Sequence, residues 1–337
     1  MNYKNNSLLI SDLTLRDGNH ALSHQISEEN IRTYCTAANE ARVHIVEVGH
    51  GNGIGASSLL VGQSAVTDKK IIEVARECLT KTLLGVHIIP GFATIERDIK
   101  PLIEQGVDVF RIASHCTEAD ITEQHIEYCR SQDKKVFGVL MMSHMASKET
   151  ILQEASKMQA YGASAIIIMD SSGHYLPDDV KDRVSALVDH LHIPVGFHAH
   201  NNLGMAVANS VAAINSGAQL IDGCARGFGA GAGNTQLEVL VAVLEKMDIK
   251  TGIDFYKILD AADIAEKEFI KNIPYISSVS VVSGVSGVFS GFLKPVNRIA
   301  AEFDVDPRDV FYRLGERKAV AGQEDLIIEI VKELKDK

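Results

Sequence analysis

Eight short runs rich in apolar and β-branched residues, at 8–15, 45–49, 82–89, 109–114, 135–142, 165–170, 194–200 and 220–226, alternate with amphipathic segments. Those segments, at 28–41, 69–78, 121–132, 147–161, 177–190 and 203–216, carry apolar residues at helical spacing. Successive runs lie roughly 25 to 40 residues apart, about one βα unit. Ala165-Ile-Ile-Ile-Met169 is apolar on both alternating faces, as expected of a parallel strand covered by protein on both sides. Eight such units in about 250 residues predict an α/β chain folded as a TIM (β/α)8 barrel. An open doubly wound sheet is the competing topology. Beyond residue 254 the strand rhythm stops, and helical patterns follow at 255–270, 278–293, 295–303, 307–314 and 324–335. The expected organisation is a barrel domain over 1–254 and a C-terminal helical appendage over 255–337.

Composition narrows the function. With 46% hydrophobic and 23% charged residues among 337, the chain has ample material for a buried core and does not resemble a disordered one. Its 33 Lys and Arg against 44 Asp and Glu give a net charge of −11, which argues against nucleic acid as a partner. The five cysteines (Cys35, Cys78, Cys116, Cys129 and Cys224) show no CxxC spacing and suit free thiols in a reducing compartment. The opening MNYKNNSLLISDLTL lacks the apolar stretch of a signal peptide. The most apolar long stretch, 278–293, is broken by serines and glycines. A cytoplasmic chain without a membrane segment is the expectation. Histidine, at 13 residues, is generously used.

Catalytic groups of such barrels sit at the C-terminal ends of the strands, and here those ends are polar. They read Arg16-Asp17-Gly18 with His20, Gly49-His50-Gly51, Ser114-His115-Cys116, Ser143-His144, Asp170-Ser171-Ser172-Gly173, His198-Ala199-His200 and a glycine-rich run to Asn234. His198 and His200, two apart on a strand, point to one face. With Asp17 they would form a two-His, one-carboxylate set suited to Mn²⁺, Fe²⁺, Co²⁺ or Zn²⁺. The plainer alternative is a hydrogen-bonded histidine pair in a polar loop. Arg16 is placed to stabilise an enolate or clamp a carboxylate, or simply to form a rim salt bridge. His20 has the chemistry of a general base, or is only a loop histidine. His50, His115 and His144 are expected to line the pocket or to support the ligands.

Gly227-x-Gly229-x-x-Ala232 mimics a dinucleotide fingerprint but follows the last strand, with no later strand to carry the acidic ribose partner. It reads instead as a loop whose backbone closely approaches the site. No GxSxG is present, and no lysine stands at a strand end for Schiff-base chemistry. Carbonyl chemistry here therefore points to a metal-stabilised enolate.

Several motifs carry a resemblance: Asp12-Leu-Thr-Leu-Arg-Asp-Gly-Asn-His20 with His24-Gln25, Glu47-Val-Gly-His-Gly-Asn-Gly53, His115-Cys-Thr-Glu-Ala-Asp120, Met141-Met-Ser-His144, Gly196-Phe-His-Ala-His-Asn-Asn-Leu203, residues 227–238 and Ala321-Gly-Gln-Glu-Asp325. Across nearly the whole chain they resemble the 4-hydroxy-2-oxovalerate aldolase family, metal-dependent pyruvate aldolases among the HMG-CoA-lyase-like barrels. The resemblance implies cleavage of a 4-hydroxy-2-oxo acid to pyruvate and acetaldehyde or a related aldehyde, in aromatic catabolism. It implies a divalent metal, Mn²⁺ first and Co²⁺, Mg²⁺ or Zn²⁺ as alternatives, held by Asp17, His198 and His200. It assigns enolate stabilisation to Arg16, the base to His20, and substrate contacts to Arg16, Asp17, Ser171 and His198. A substrate-contacting tyrosine of the family is replaced here by Phe289, which leaves the aldehyde and its stereochemistry open. The resemblance further implies an acylating aldehyde dehydrogenase as partner and a homo-oligomer, with contacts through the appendage. The alternative within the superfamily, a Claisen-type acyl-CoA condensing enzyme or lyase, usually has Glu or Gln after Arg-Asp-Gly, where this chain has Asn19-His20.

Overall fold

The computed structural model describes residues 8–320 and 322–335. The segment 1–7 and Ala321 of the tail motif lie outside the described residues. All eight expected strands form: β1 (Leu9–Leu15), β2 (Ile45–Val48), β3 (Leu83–Ile88), β4 (Val109–His115), β5 (Lys135–Met141), β6 (Ala165–Asp170), β7 (Val195–Ala199) and β8 (Leu220–Gly223). They pair in parallel in chain order, and β8 closes on β1. The open-sheet topology is thereby excluded, and the chain is a TIM barrel.

Strand alternation sorts side chains into two cores. Ile45, Val109, Phe137, Val139, Ile167 and Leu220 fill the barrel interior. Val46, Phe110, Leu140 and Ile168 pack outward on the helices. Cover on both faces is why these strands are predominantly apolar.

The outer layer contains α1 (Glu28–Glu40), α2 (Asp68–Cys78), α3 (Lys100–Glu104), α4 (Glu123–Ser131), α5 (Lys148–Ala160), α6 (Pro177–His190), α7 (Ala206–Asn215) and α8 (Leu237–Lys246). Ser27, Thr67 and Ser147 start α1, α2 and α5 by accepting a backbone N–H, and Pro177 opens α6 with its ready-made φ. Two of these helices lie outside the expected set. Helix α3 is a single five-residue turn with Pro101 in its first turn, too short to show a helical period, and α8 is so valine-rich and apolar that its run does not separate helix from strand by periodicity. The strand expected at 220–226 stops at Gly223, because a single turn over Ala225–Gly227 puts Arg226 at φ 54°.

The remaining helices are α9 (Phe255–Glu268), α10 (Ser278–Ser286), α11 (Leu293–Phe303), α12 (Pro307–Glu316) and α13 (Asp325–Lys335). The division expected at residue 254 falls too early. Helix α9 shares the barrel's outer core through Ile258, Ala261, Ala262 and Ala265, and the following Phe269 packs edge-on against Tyr34 of α1 at 5.8 Å. A separate core, built on Phe292, Val296, Ile299, Phe311, Leu314, Ile327 and Ile330, unites α11 to α13. Sequence alone could not place α9, since its apolar stripe suits either neighbour. The helix expected over 278–293 ends at Ser286, where Gly287 at φ 67° supplies the left-handed residue that terminates it. No helix among the described residues is long and apolar enough to cross a membrane.

The C-terminal unit docks on the strand-end face of the barrel. His144 and His174 hydrogen-bond the carbonyls of Gly287 and Gly284, each at 2.7 Å. Ser290 N–H donates to the Ser171 carbonyl at 3.3 Å, and Lys294 donates to the His20 carbonyl at 3.0 Å. These contacts join the ends of β1, β5 and β6 to one small helical unit.

Candidate active site

Alternation along β7 brings His198 and His200 to the inner face, their rings 5.1 Å apart. Asp17, in the turn after β1, completes the group: one ligand-type atom from each of the three lies within 4.8 Å of the others, and all three residues are buried. Arg16 donates to Asp17 at 2.9 Å and to the Gly51 carbonyl at 3.1 Å, and pairs through Nε with Glu47. The second Asp17 oxygen accepts from Asn234 Nδ2 at 2.9 Å. A Cβ on Gly229 would stand 2.1 Å from that same Asn234 nitrogen and 2.9 Å from Asp17. The glycine-rich loop therefore approaches the site as closely as its composition suggests.

Burial works against the Arg16 charge, but Glu47 and Asp17 more than offset it and hold the guanidinium protonated. Burial likewise disfavours the Asp17 carboxylate, yet Arg16 and the neighbouring histidines keep its pKa well below the usual range. For His200 burial wins, and the pKa falls to about 3, so its imidazole is neutral at pH 7. His198 donates from Nδ1 to Asp222 at 3.1 Å.

The donor set fits a cation on the chain's own chemistry. His198 Nε2 and His200 Nδ1 are buried without a partner. Asp17 retains lone pairs beyond its two hydrogen bonds. Around them stand three buried carboxylates (Asp17, Glu47, Asp222) against two guanidiniums (Arg16, Arg111), one negative charge in excess. Two imidazoles with a carboxylate suit a borderline divalent metal. Arg16 Nη2 is also buried and unpartnered, a donor available to a substrate oxygen.

His20 lies beyond this group, its ring edge-on to His24 at 5.3 Å, and His24 stacks on His50 at 3.5 Å. Burial lowers the His20 pKa to about 4, with Asp17 pulling the other way. Ser171 is buried, and its Oγ accepts from the Met142 N–H at 2.9 Å. Phe289 is half-buried in the C-terminal unit, packed edge-on against Phe292 at 6.5 Å, one residue before the contact to Ser171. His50 binds the Gly62 carbonyl, His115 pairs with Thr117, and His144 holds the C-terminal unit. None of these three histidines hydrogen-bonds to Asp17, His198 or His200 among the described residues, which corrects the supporting role expected for them. Asn19 donates to the Gly49 carbonyl at 3.0 Å and so braces the turn carrying Asp17.

Sequence reasoning gave no role to Glu47, His87, Arg111, Asp222 or Asn234. His87 sits on β3 beside Arg111 of β4, buried, with Nδ1 unpartnered. A signal was present for the charged residues: Arg111 and Asp222 interrupt apolar strands at inward positions, and a buried ion requires a partner. Which partner depends on strands far apart in sequence.

The HMGL-like family matches residues 7–265 and the DmpG-like communication domain matches residues 274–336. The chain is 64% identical to the 4-hydroxy-2-oxovalerate aldolase of Spirochaeta aurantia, covering 98% of this chain and 97% of that one. It is 60% identical to the enzyme of the same name from Pectobacterium atrosepticum, over 97% and 95% of the two chains. The carboxyl transferase domain of Rhizobium etli pyruvate carboxylase superposes with a TM-score of 0.82 at 14% identity, covering 99% of this chain and 61% of that one, a likeness of fold alone. With its barrel, its communication domain and its near full-length relatives, this chain belongs to the 4-hydroxy-2-oxovalerate aldolase family of carbon–carbon lyases.

Proposed function

We propose that this chain cleaves 4-hydroxy-2-oxovalerate, or a closely related 4-hydroxy-2-oxo acid, to pyruvate and the matching aldehyde. The observation that carries the reading is the Asp17, His198 and His200 triad set against an Arg16 that keeps one buried N–H group unspent. Asp17, His198 and His200 would hold a divalent cation, Mn²⁺ first among the candidates, which when bound supplies Lewis acidity at the 2-oxo group. Arg16 orients the substrate and donates to the oxygen that becomes the enolate. Neutral His20 takes the proton of the C4 hydroxyl as the C3–C4 bond breaks, and C3 of the pyruvate enolate is then protonated. Ser171, just past the end of β6, is the remaining proposed substrate contact.

The test is turnover in both directions, with pyruvate and aldehydes of increasing size, before and after chelation. Mn²⁺-dependent aldol formation and cleavage, lost with EDTA and restored by the metal, is the expected result. Acyl-CoA-dependent consumption of a 2-oxo acid without aldol turnover would replace this reading with the Claisen one. Phe289 offers no hydroxyl, so selection at the aldehyde end should be loose, and Phe289→Tyr should narrow it. Unchanged aldehyde ratios in that variant would remove Phe289 from the pocket.

The communication domain also supports a partner, for which we propose an acylating aldehyde dehydrogenase that consumes the aldehyde. The C-terminal unit exposes Val285 and Tyr312, and Tyr275 just before α10 is 75% exposed, apolar surface of the kind interfaces use. Sedimentation of the chain mixed with such a dehydrogenase should show one heavier species. Two independent boundaries at micromolar concentration would dismiss the partnership, and sedimentation of the chain alone reads the expected homo-oligomer.

A further inference from the structure

We infer that Arg111 and Asp222, inside the barrel, are positioning residues that fix the cation-binding face of His198 and, through Glu47, the aim of Arg16. The inference rests on the metal reading above. Arg111 is completely buried on β4 and spans the barrel interior between β2 and β8. Its Nη1 donates to Asp222 Oδ1 at 2.9 Å, and its Nη2 pairs with the other oxygen. Its Nε lies 3.0 Å from Glu47 Oε2, an ion pair off the line of a hydrogen bond, while Glu47 Oε1 accepts from Arg16 Nε. A continuous series of alternating charges thus runs Asp17, Arg16, Glu47, Arg111, Asp222 and ends on His198.

The consequence for His198 follows from donor chemistry. An ionised carboxylate only accepts, so the hydrogen between Asp222 and His198 sits on Nδ1. The nitrogen left to offer a lone pair to a cation is then Nε2, the buried atom without a protein partner. Arg111 grips both oxygens of Asp222 in a two-point ion pair inside the barrel, the arrangement of a guanidinium with a carboxylate. An amide at position 222 can present N–H to His198 and favour the opposite tautomer, with a proton aimed at the cation. At the other end, Glu47 takes up the Nε side of Arg16 and leaves Nη2 for the substrate.

The two ends predict separable defects. Asp222→Asn should weaken Mn²⁺ binding by about 10- to 100-fold, the usual effect of losing a partner behind a ligating histidine. Calorimetry without substrate reads this, and the visible spectrum of the Co²⁺-loaded protein should change. Glu47→Gln should leave Mn²⁺ affinity within about twofold and slow exchange of the pyruvate C3 hydrogens about tenfold or more, because Arg16 loses its orientation. Wild-type Mn²⁺ affinity in folded Asp222→Asn, or equal losses of affinity and exchange in both variants, would overturn the inference. Absence of cation binding by the unmodified chain would instead overturn the metal reading beneath it.

Discussion

Asp17→Asn is expected to weaken Mn²⁺ binding by roughly two to nearly four powers of ten and to abolish turnover at ordinary metal concentrations. The size follows from removing one buried partner of a charge, which costs about 3–5 kcal/mol, at about 1.4 kcal/mol per decade. The substitution preserves volume, and the amide oxygen can still accept from one of the two donors that converge on Asp17, Arg16 at 2.9 Å and Asn234 at 2.9 Å. Its NH₂ then faces the other donor, so the carboxylate's neighbours are left opposed as well as the cation. Calorimetric titration with Mn²⁺ and a thermal melt separate loss of the site from loss of the fold. A folded variant binding Mn²⁺ within about threefold of the parent would remove Asp17 from the proposed ligand set.

His20→Ala should lower the rate of aldol cleavage by about 10²- to 10⁴-fold, the range for a general base, with Mn²⁺ affinity held within about twofold. The affinity readout distinguishes proton transfer from ligand loss, since His20 lies outside the triad. The pH dependence has a definite sign. A base works deprotonated, and burial lowers the His20 pKa from 6.5 to about 4. Neutral His20 is therefore fully available at pH 7, and kcat/KM of the native chain should stay level as pH drops through 6.5. A loss of activity centred near 6.5 would mean an ordinary, solvated histidine or a different base. A decrease of less than about fivefold in His20→Ala would reject the assignment outright.

The buried charges of the site form one connected series. Asp17 holds Arg16, Arg16 holds Glu47, and Glu47 faces Arg111, all with little or no exposure. In such a place the dielectric is low, and an unpaired group is costly. Additivity between variants of these residues is not expected. Substitutions on α9, by contrast, should act through the outer core with Tyr34 and Phe269 rather than through chemistry.

The barrel, its parallel order and the polarity of its strand ends are legible in the amino-acid order. Those features rest on local alternation and burial, and each βα unit repeats the same signal. It likewise marked Arg16, Asp17, His198 and His200, because Arg-Asp at one strand end and His-x-His at another are short patterns with their own geometry. What surrounds them follows from the closed fold. Arg111 meets Asp222 across the barrel interior, 111 residues away in the chain, and Asn234 meets Asp17 across 217. The histidines at 115 and 144 share the strand-end signature with His198, yet one pairs locally with Thr117 and the other anchors Gly287. Strand-end position is a property of the chain, but the group a side chain meets is set by the closure of the barrel and the docking of the C-terminal unit. Long-range pairing leaves no periodic trace in the sequence, which is why α9 and the buried charges behind the site became assignable only in three dimensions.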